Sequence, residues 1–137
     1  MMKIVLPYPA AALWPNKRAH WATKARAVKS ARKEAYWLAK EAGDLVVGDG
    51  EIAIKITVCG KAKGPLPDKD NCTSAAKSLL DGIADALGVN DKRFAAPIVV
   101  YSSVRSSRFI IEVGERARNV CAGTVNAAWD DAMRGKV

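Results

Sequence analysis

The run EIAIKITVCG, residues 51–60, limits the fold more than any other segment. Ile52, Ile54, Ile56 and Val58 alternate with other side chains, the period of a strand with one buried face. Such a strand needs neighbours on its edges and a second layer over its apolar side. The flanking sequence supplies both. KIVLPYP, 3–9, reads as a short strand ended by proline, and 9–15 as a loop. A helix is expected over 21–42, stopped by Gly43, and a second over 72–87, stopped by Gly88. KAKGPLP between the second strand and second helix is a loop by its glycine and prolines. PIVVYSSV and RFIIEVG are two further strands, with RSS between them as a hairpin turn. The order is βαβαββ, and the fold class follows: an α/β (α+β) two-layer sandwich, a small mixed sheet with helices on one face.

The chain has 137 residues, half of them hydrophobic, enough for one domain with a real core. That domain is expected over 1–114, with 115–137 as a C-terminal extension. There, Thr124 suits the cap of a short docking helix with Val125, Ala128, Trp129 and Ala132 on its apolar side. No apolar run approaches the roughly 18 residues of a membrane span, and the proline-broken opening does not suit a signal peptide. The expectation is a soluble, cytoplasmic protein, bacterial or phage-encoded. Cys59, Cys72 and Cys121 are odd in number and without C-x-x-C spacing, so they are expected to be reduced and structural.

Net charge is +8, and its distribution matters more than its size. Between Lys17 and Lys40 stand eight basic residues and one acid, Glu34. A basic stretch of this kind suits a polyanion, nucleic acid first. On the first helix, Trp21, Ala25, Val28, Ala35 and Ala39 share one stripe, expected to be buried. Arg26, Lys29, Lys33, Tyr36, Trp37 and Lys40 share the other side. Cations there would neutralise phosphates and rings would stack on unpaired bases; alternatively Tyr36 and Trp37 pack on a loop or a second subunit. The expected DNA-binding set is Asn16, Lys17, Arg18, His20, Arg26, Lys29, Lys33 and Lys69. His20, the only histidine, is placed to touch DNA or cap the helix.

Within this basic chain, PDKDN at 67–71 sets Asp68 and Asp70 two apart. If proline keeps the segment extended, alternation turns both carboxylates the same way. Two such groups repel unless a cation lies between them or one is protonated. Hard divalent cations use one or two carboxylates with water and phosphate oxygens, so a Mg²⁺ site is one reading, with Mn²⁺ an alternative. Capping of the second helix by Asp70 or Asn71 is another. A calcium loop of the EF-hand type is excluded, because Thr73 and Leu79 stand where glycine and glutamate belong. On the second helix Ala76, Leu79, Leu80, Ile83 and Leu87 form an apolar stripe. Lys77, Asp81 and Asp85 follow one another on the other side, where an ordinary charged face also accounts for them.

LPYP at 6–9, PNKRAHW at 15–21, DKDN at 68–71, KSLLDGIADALGVND at 77–91 and the closing strands together resemble the RusA family of Holliday-junction resolvases of bacteria and their phages. The resemblance covers about residues 3–113. It implies a Mg²⁺-dependent endonuclease that cuts four-way DNA junctions as a homodimer, with an acidic triad at Asp68, Asp70 and Asp91 and an essential lysine at Lys77. The lysine stands three residues further from the Asp-Asn pair than in the family pattern, which leaves Lys69 as its alternative. Asn90 occupies a place where the family often has a second aspartate.

One straight helix over 72–87 would be roughly 24 Å long, with Asp91 at the opposite end from Asp68 and Asp70. Two such helices antiparallel across a twofold axis would bring Asp91 of one chain to the acid pair of the other. A helix broken at Gly82 would keep the site in one chain. The expected chemistry is phosphodiester hydrolysis, with Asp68, Asp70 and Asp91 on the metal and Lys77 at the phosphate. The alternatives are a non-catalytic DNA-binding module, or a nuclease for other branched DNA or RNA.

Overall fold

The structure, a computed structural model, describes residues 2–15, 18, 20–43 and 50–115. Four strands, β1 (Met2–Pro7), β2 (Ile52–Cys59), β3 (Ile98–Tyr101) and β4 (Arg108–Glu115), form one sheet in the order β1-β4-β2-β3. β1 and β2 both run antiparallel to β4, and β3 runs parallel to β2, so the sheet is mixed. The helices are α1 (Trp21–Glu41), α2 (Lys69–Ala75) and α3 (Lys77–Leu87), with 3-10 turns at Ala11–Leu13 and Asp91–Arg93. This is the expected small α/β sandwich.

Register explains the core. Ile4, Ile111, Ile56 and Val99 align across the four strands, and Leu6, Phe109, Val58 and Tyr101 form the next row. These side chains, with Tyr101 packed at the margin, share one cluster with Ala35 and Ala39 of α1 and with Cys72, Ala75, Leu79, Leu80 and Ile83 of α2 and α3. The α3 stripe read from the sequence is therefore the one that packs, except that Leu87 lies at the margin of the cluster.

Four expectations are corrected. β3 and β4 are not a hairpin, because β4 lies between β1 and β2. The link 102–107 passes the end of β2 instead, where Ser102 N–H donates to the Val58 carbonyl and Ser107 N–H to the Gly60 carbonyl. β2 is buried along its whole length rather than on one face. On the face away from the isoleucines, Lys55 and Glu112 are both 2 % exposed and stand opposite each other in register, opposite charges on facing positions of the sheet. On α1 the apolar stripe is buried only in its second half. Ala35 and Ala39 are covered, whereas Ala25 is exposed and Trp21 is 77 % exposed. Finally, 72–87 is not one straight helix. The helical path starts at Lys69 and breaks at Ala76 (φ −83°, ψ −6°), which both ends α2 and starts α3.

Gly82 is not a break. α3 runs through it, and its missing side chain sets how close the helices come: a Cβ there would collide with the Arg32 carbonyl oxygen of α1. Gly88 ends α3 at φ 69°, the left-handed conformation glycine adopts without strain.

Candidate functional site

The acidic segment is held from behind. The Tyr101 hydroxyl donates to the Pro67 carbonyl at 2.7 Å, which ties β3 to the residue before Asp68. Asp68 is the N-cap of α2, extended at φ −73° and ψ 167°, with Oδ1 accepting the Asn71 N–H at 2.8 Å. The cap falls to Asp68 rather than to Asp70 or Asn71. Because the helix starts at Lys69, Asp70 lies in its first turn, and the alternation expected of an extended segment does not apply to the pair. Asp68, Lys69 and Asp70 are all exposed. Behind them Cys72 is buried, and that burial, with the Asp68 charge second, pushes its thiol up to about 11. Cys59 is likewise a buried free thiol, and Cys121 lies outside the described residues.

The other acids of this region are paired. Lys77 Nζ donates to Asp91 Oδ2 at 2.8 Å and to Asp81 Oδ1 at 2.9 Å. The contact with Asp91, then that with Asp81, raises the Lys77 ammonium above its ordinary range, and Lys77 in turn holds the Asp91 carboxyl low. Asp85 stays exposed on the charged face beside Asp81 and also bridges to α1. Its two oxygens take both prongs of the Arg32 guanidinium, at 2.6 and 2.9 Å, and this contact depresses its pKa. Arg32, Asp81, Asp85 and Asp91 line one cavity of about 310 Å³. By contrast, neither Asp68 nor Asp70 makes an ion pair among the described residues.

Asp91 therefore does not stand at the far end of a 24 Å rod. After Gly88 the chain returns to a 3-10 turn opened by Asn90, whose Oδ1 accepts the Lys92 N–H. That turn brings Asp91 within hydrogen-bond reach of Lys77, the first residue of α3. Among the described residues, no three His, Cys, Asp or Glu side chains gather into a group that could hold a metal.

The basic surface is partly described. Arg18, Arg26, Lys29 and Lys33 are exposed, while Asn16 and Lys17 lie outside the described residues. His20 caps α1, its Nδ1 accepting the Ala22 N–H at 3.2 Å. Trp37 is 56 % exposed beside the partly covered Tyr36, their rings edge to face at 5.0 Å.

A second cleft, of about 430 Å³, went unread in the sequence. Tyr8, Trp14, Lys61, Lys63, Leu66 and Asn71 are among its lining residues. Tyr8 and Trp14 stack at 5.4 Å, and both stand edge to face with Phe109. Lys61 Nζ lies 5.3 Å from the Tyr8 ring centroid. Arg105 pins the lysine loop by donating to the carbonyls of Lys61 and Gly64. The available signal was the tyrosine of LPYP and the lysines of KAKGPLP, two loops separated by more than fifty residues.

No protein-family model matches the chain. An uncharacterized protein of Xylella fastidiosa (strain Temecula1) is 36 % identical over 115 residues, which span 81 % of this chain and 74 % of the relative. The chain belongs to the family of that Xylella protein. A bacterial member fits the expected bacterial source. Among the described residues, no helix is long and apolar enough to cross a membrane. The description of the Xylella protein assigns no activity, so the chemistry of this family member has to be argued from its own residues.

Proposed function

We propose that the protein is a structure-specific endonuclease that binds branched DNA, four-way junctions above all, and hydrolyses phosphodiesters with a divalent cation. One observation carries the reading. In a chain of net charge +8, Asp81, Asp85 and Asp91 each have a lysine or arginine partner, while exposed Asp68 and Asp70 have none among the described residues. An acid pair left without a cation on a basic protein suits a cation brought from solution.

The donor chemistry fits a hard ion. Asp68 and Asp70 offer exposed carboxylate oxygens, with no sulfur or imidazole beside them on α2 except buried Cys72. Mg²⁺, or Mn²⁺ in its place, would supply Lewis-acid stabilisation of phosphate charge and a water of lowered pKa. Asp91 of a second copy would complete the ligand set, as the homodimer of the resembled family implies, while in its own chain Asp91 is engaged by Lys77. Lys77 would meet charge growing on the phosphate, with Asp81 keeping it in place when Asp91 is drawn away. Lys69 is the alternative lysine, exposed between the two acids. Arg18, Arg26, Lys29 and Lys33 would contact the DNA backbone, with Asn16 and Lys17 beside them in sequence.

A second reading is a DNA-binding module without catalysis. The double ion pair of Lys77 favours it, because that pairing engages both Lys77 and Asp91. One assay separates the two: a labelled four-way junction and a linear duplex of equal length, at one salt concentration, with Mg²⁺ or with a chelator. Salt is fixed because phosphate contacts make affinity depend on it steeply. The proposal expects paired cuts in the junction with Mg²⁺ and none with the chelator. Tight junction binding with no cutting under either condition would support the module instead.

A further inference from the structure

We propose that the cleft between Tyr8 and the lysine loop seats one unpaired nucleobase of the bound strand, with its phosphate on Lys61 and Lys63. The inference rests on the nucleic-acid part of the function proposed above, but not on catalysis.

The cleft has the required parts. Its volume of about 430 Å³ lies in the range of small-ligand sites. One wall is a fixed aromatic pair, Tyr8 stacked on Trp14, with Phe109 against both and the Trp14 indole N–H donating to the Pro9 carbonyl at 3.2 Å. A wall held this way keeps its geometry when a ring lies against it. Every base has a π face, so the seat would accept an unpaired base with little regard to sequence.

Charge points to the same occupant. Lys61 and Lys63 are exposed, and none of the described lining residues is acidic. The Lys61 ammonium lies over the Tyr8 ring, a place a base would take. An exposed cation–π contact is weaker than a base–aromatic stack, so the base displaces the ammonium. The freed ammonium, on a loop fixed by Arg105, then meets the flanking phosphate. Half-buried Asn71 lines the same cleft, and no hydrogen bond among the described residues uses its carboxamide. It is available to a base edge. Pro67 also lines the cleft and Asp68 follows it directly, so a strand seated here would run past the acid pair.

The test uses the full chain, with chelator present so that cutting plays no part. A short single-stranded oligodeoxynucleotide carrying one 5-iodouracil is bound, irradiated, and the adduct is mapped by mass spectrometry. The expected adduct is on Tyr8. It should persist in Tyr8→Phe and vanish in Tyr8→Leu, with a roughly ten- to hundredfold loss of affinity, the range one base–aromatic stack carries. Tyr8 is partly buried, so Lys61→Glu, an exposed change, guards against misfolding of the leucine variant. It should weaken binding at least about tenfold, and Lys61→Ala should lower the salt slope by about 0.7, the share of one phosphate contact on a single strand. Adducts confined to Trp21 or Trp37, with affinity unchanged in Lys61→Glu, would overturn this seat and leave the endonuclease reading standing. A chain that bound neither this oligonucleotide nor a junction would overturn both.

Discussion

Replacing Asp68 tests two roles that one side chain holds at once. Oδ1 caps α2 by accepting the Asn71 N–H at 2.8 Å, and the carboxylate is also a proposed metal ligand. Asparagine keeps an oxygen in the capping position and removes the charge. As N-caps, Asn and Asp are nearly equivalent, so Asp68→Asn should change stability by only a few tenths of a kcal/mol. Asp68→Ala loses the cap as well and should cost about 1 kcal/mol. On a domain of this size that is a fall in Tm of roughly 3–4 °C. Cutting should respond differently. Loss of a group behind a metal ligand typically costs 10- to 100-fold, so loss of a ligand itself should cost at least about a hundredfold. Both variants should therefore be nearly inactive, only the alanine variant should melt early, and both should bind junction DNA as well as the parent or better. The assays are thermal unfolding, mobility shift and cleavage of a labelled junction. If Asp68→Asn cuts at the parent rate, Asp68 is a helix cap and nothing more.

Three further outcomes follow from the packing. Gly82→Ala places a Cβ against the Arg32 backbone, which cannot swing aside; overpacking of about 1–3 kcal/mol outweighs the roughly 1 kcal/mol gained in helix propensity, and calorimetry should show a lower Tm. Asp85→Asn should lower Tm near neutral pH, and the gap to the parent should close in acid. The sign follows from the lowered Asp85 pKa: its contribution is present above the ordinary carboxyl range and is lost as pH falls through the depressed native value, so a gap that widened in acid would refute the bridge. Tyr101→Phe removes the hydrogen bond to the Pro67 carbonyl and should cost about 1 kcal/mol. It should also slow cutting by loosening the segment ahead of Asp68, whereas an unchanged rate would separate β3 from the site.

The elements were legible where a local period decides them. The isoleucines of β2, the α3 stripe and the glycine stop at Gly88 are each written within a few residues, and each is where the sequence places it. What depends on distant partners was not. RSS reads as a hairpin turn, but it lacks the Asn-Gly or Gly-rich pair that marks a two-residue hairpin, and β4 enters between β1 and β2. That Lys55 faces Glu112 is evident only once β4 is in register with β2. Trp21 shares a helical stripe with Ala35, but of that stripe only Ala35 and Ala39, on the half of α1 that passes Gly82 of α3, are buried. At the site, the D-x-D spacing identified the two acids without an ion-pair partner. The link from Lys77 to Asp91 depends on the turn after Gly88, and no spacing rule contains it. Arg32–Asp85 joins residues 53 apart in sequence, beyond any helical repeat.

The central claim is that the Asp68–Asp70 pair of one chain works with Asp91 of another. Mixing two inactive variants tests it most directly. Asp70→Asn and Asp91→Asn are refolded together, and junction cutting is measured with Mg²⁺. If the site is shared, each mixed dimer holds one complete set, so roughly a quarter of all sites recover, for random pairing about a twofold axis, and cuts appear in single strands rather than in pairs. If all three carboxylates act within one chain, no chain in the mixture has a full set, and the mixture stays as inactive as its parts.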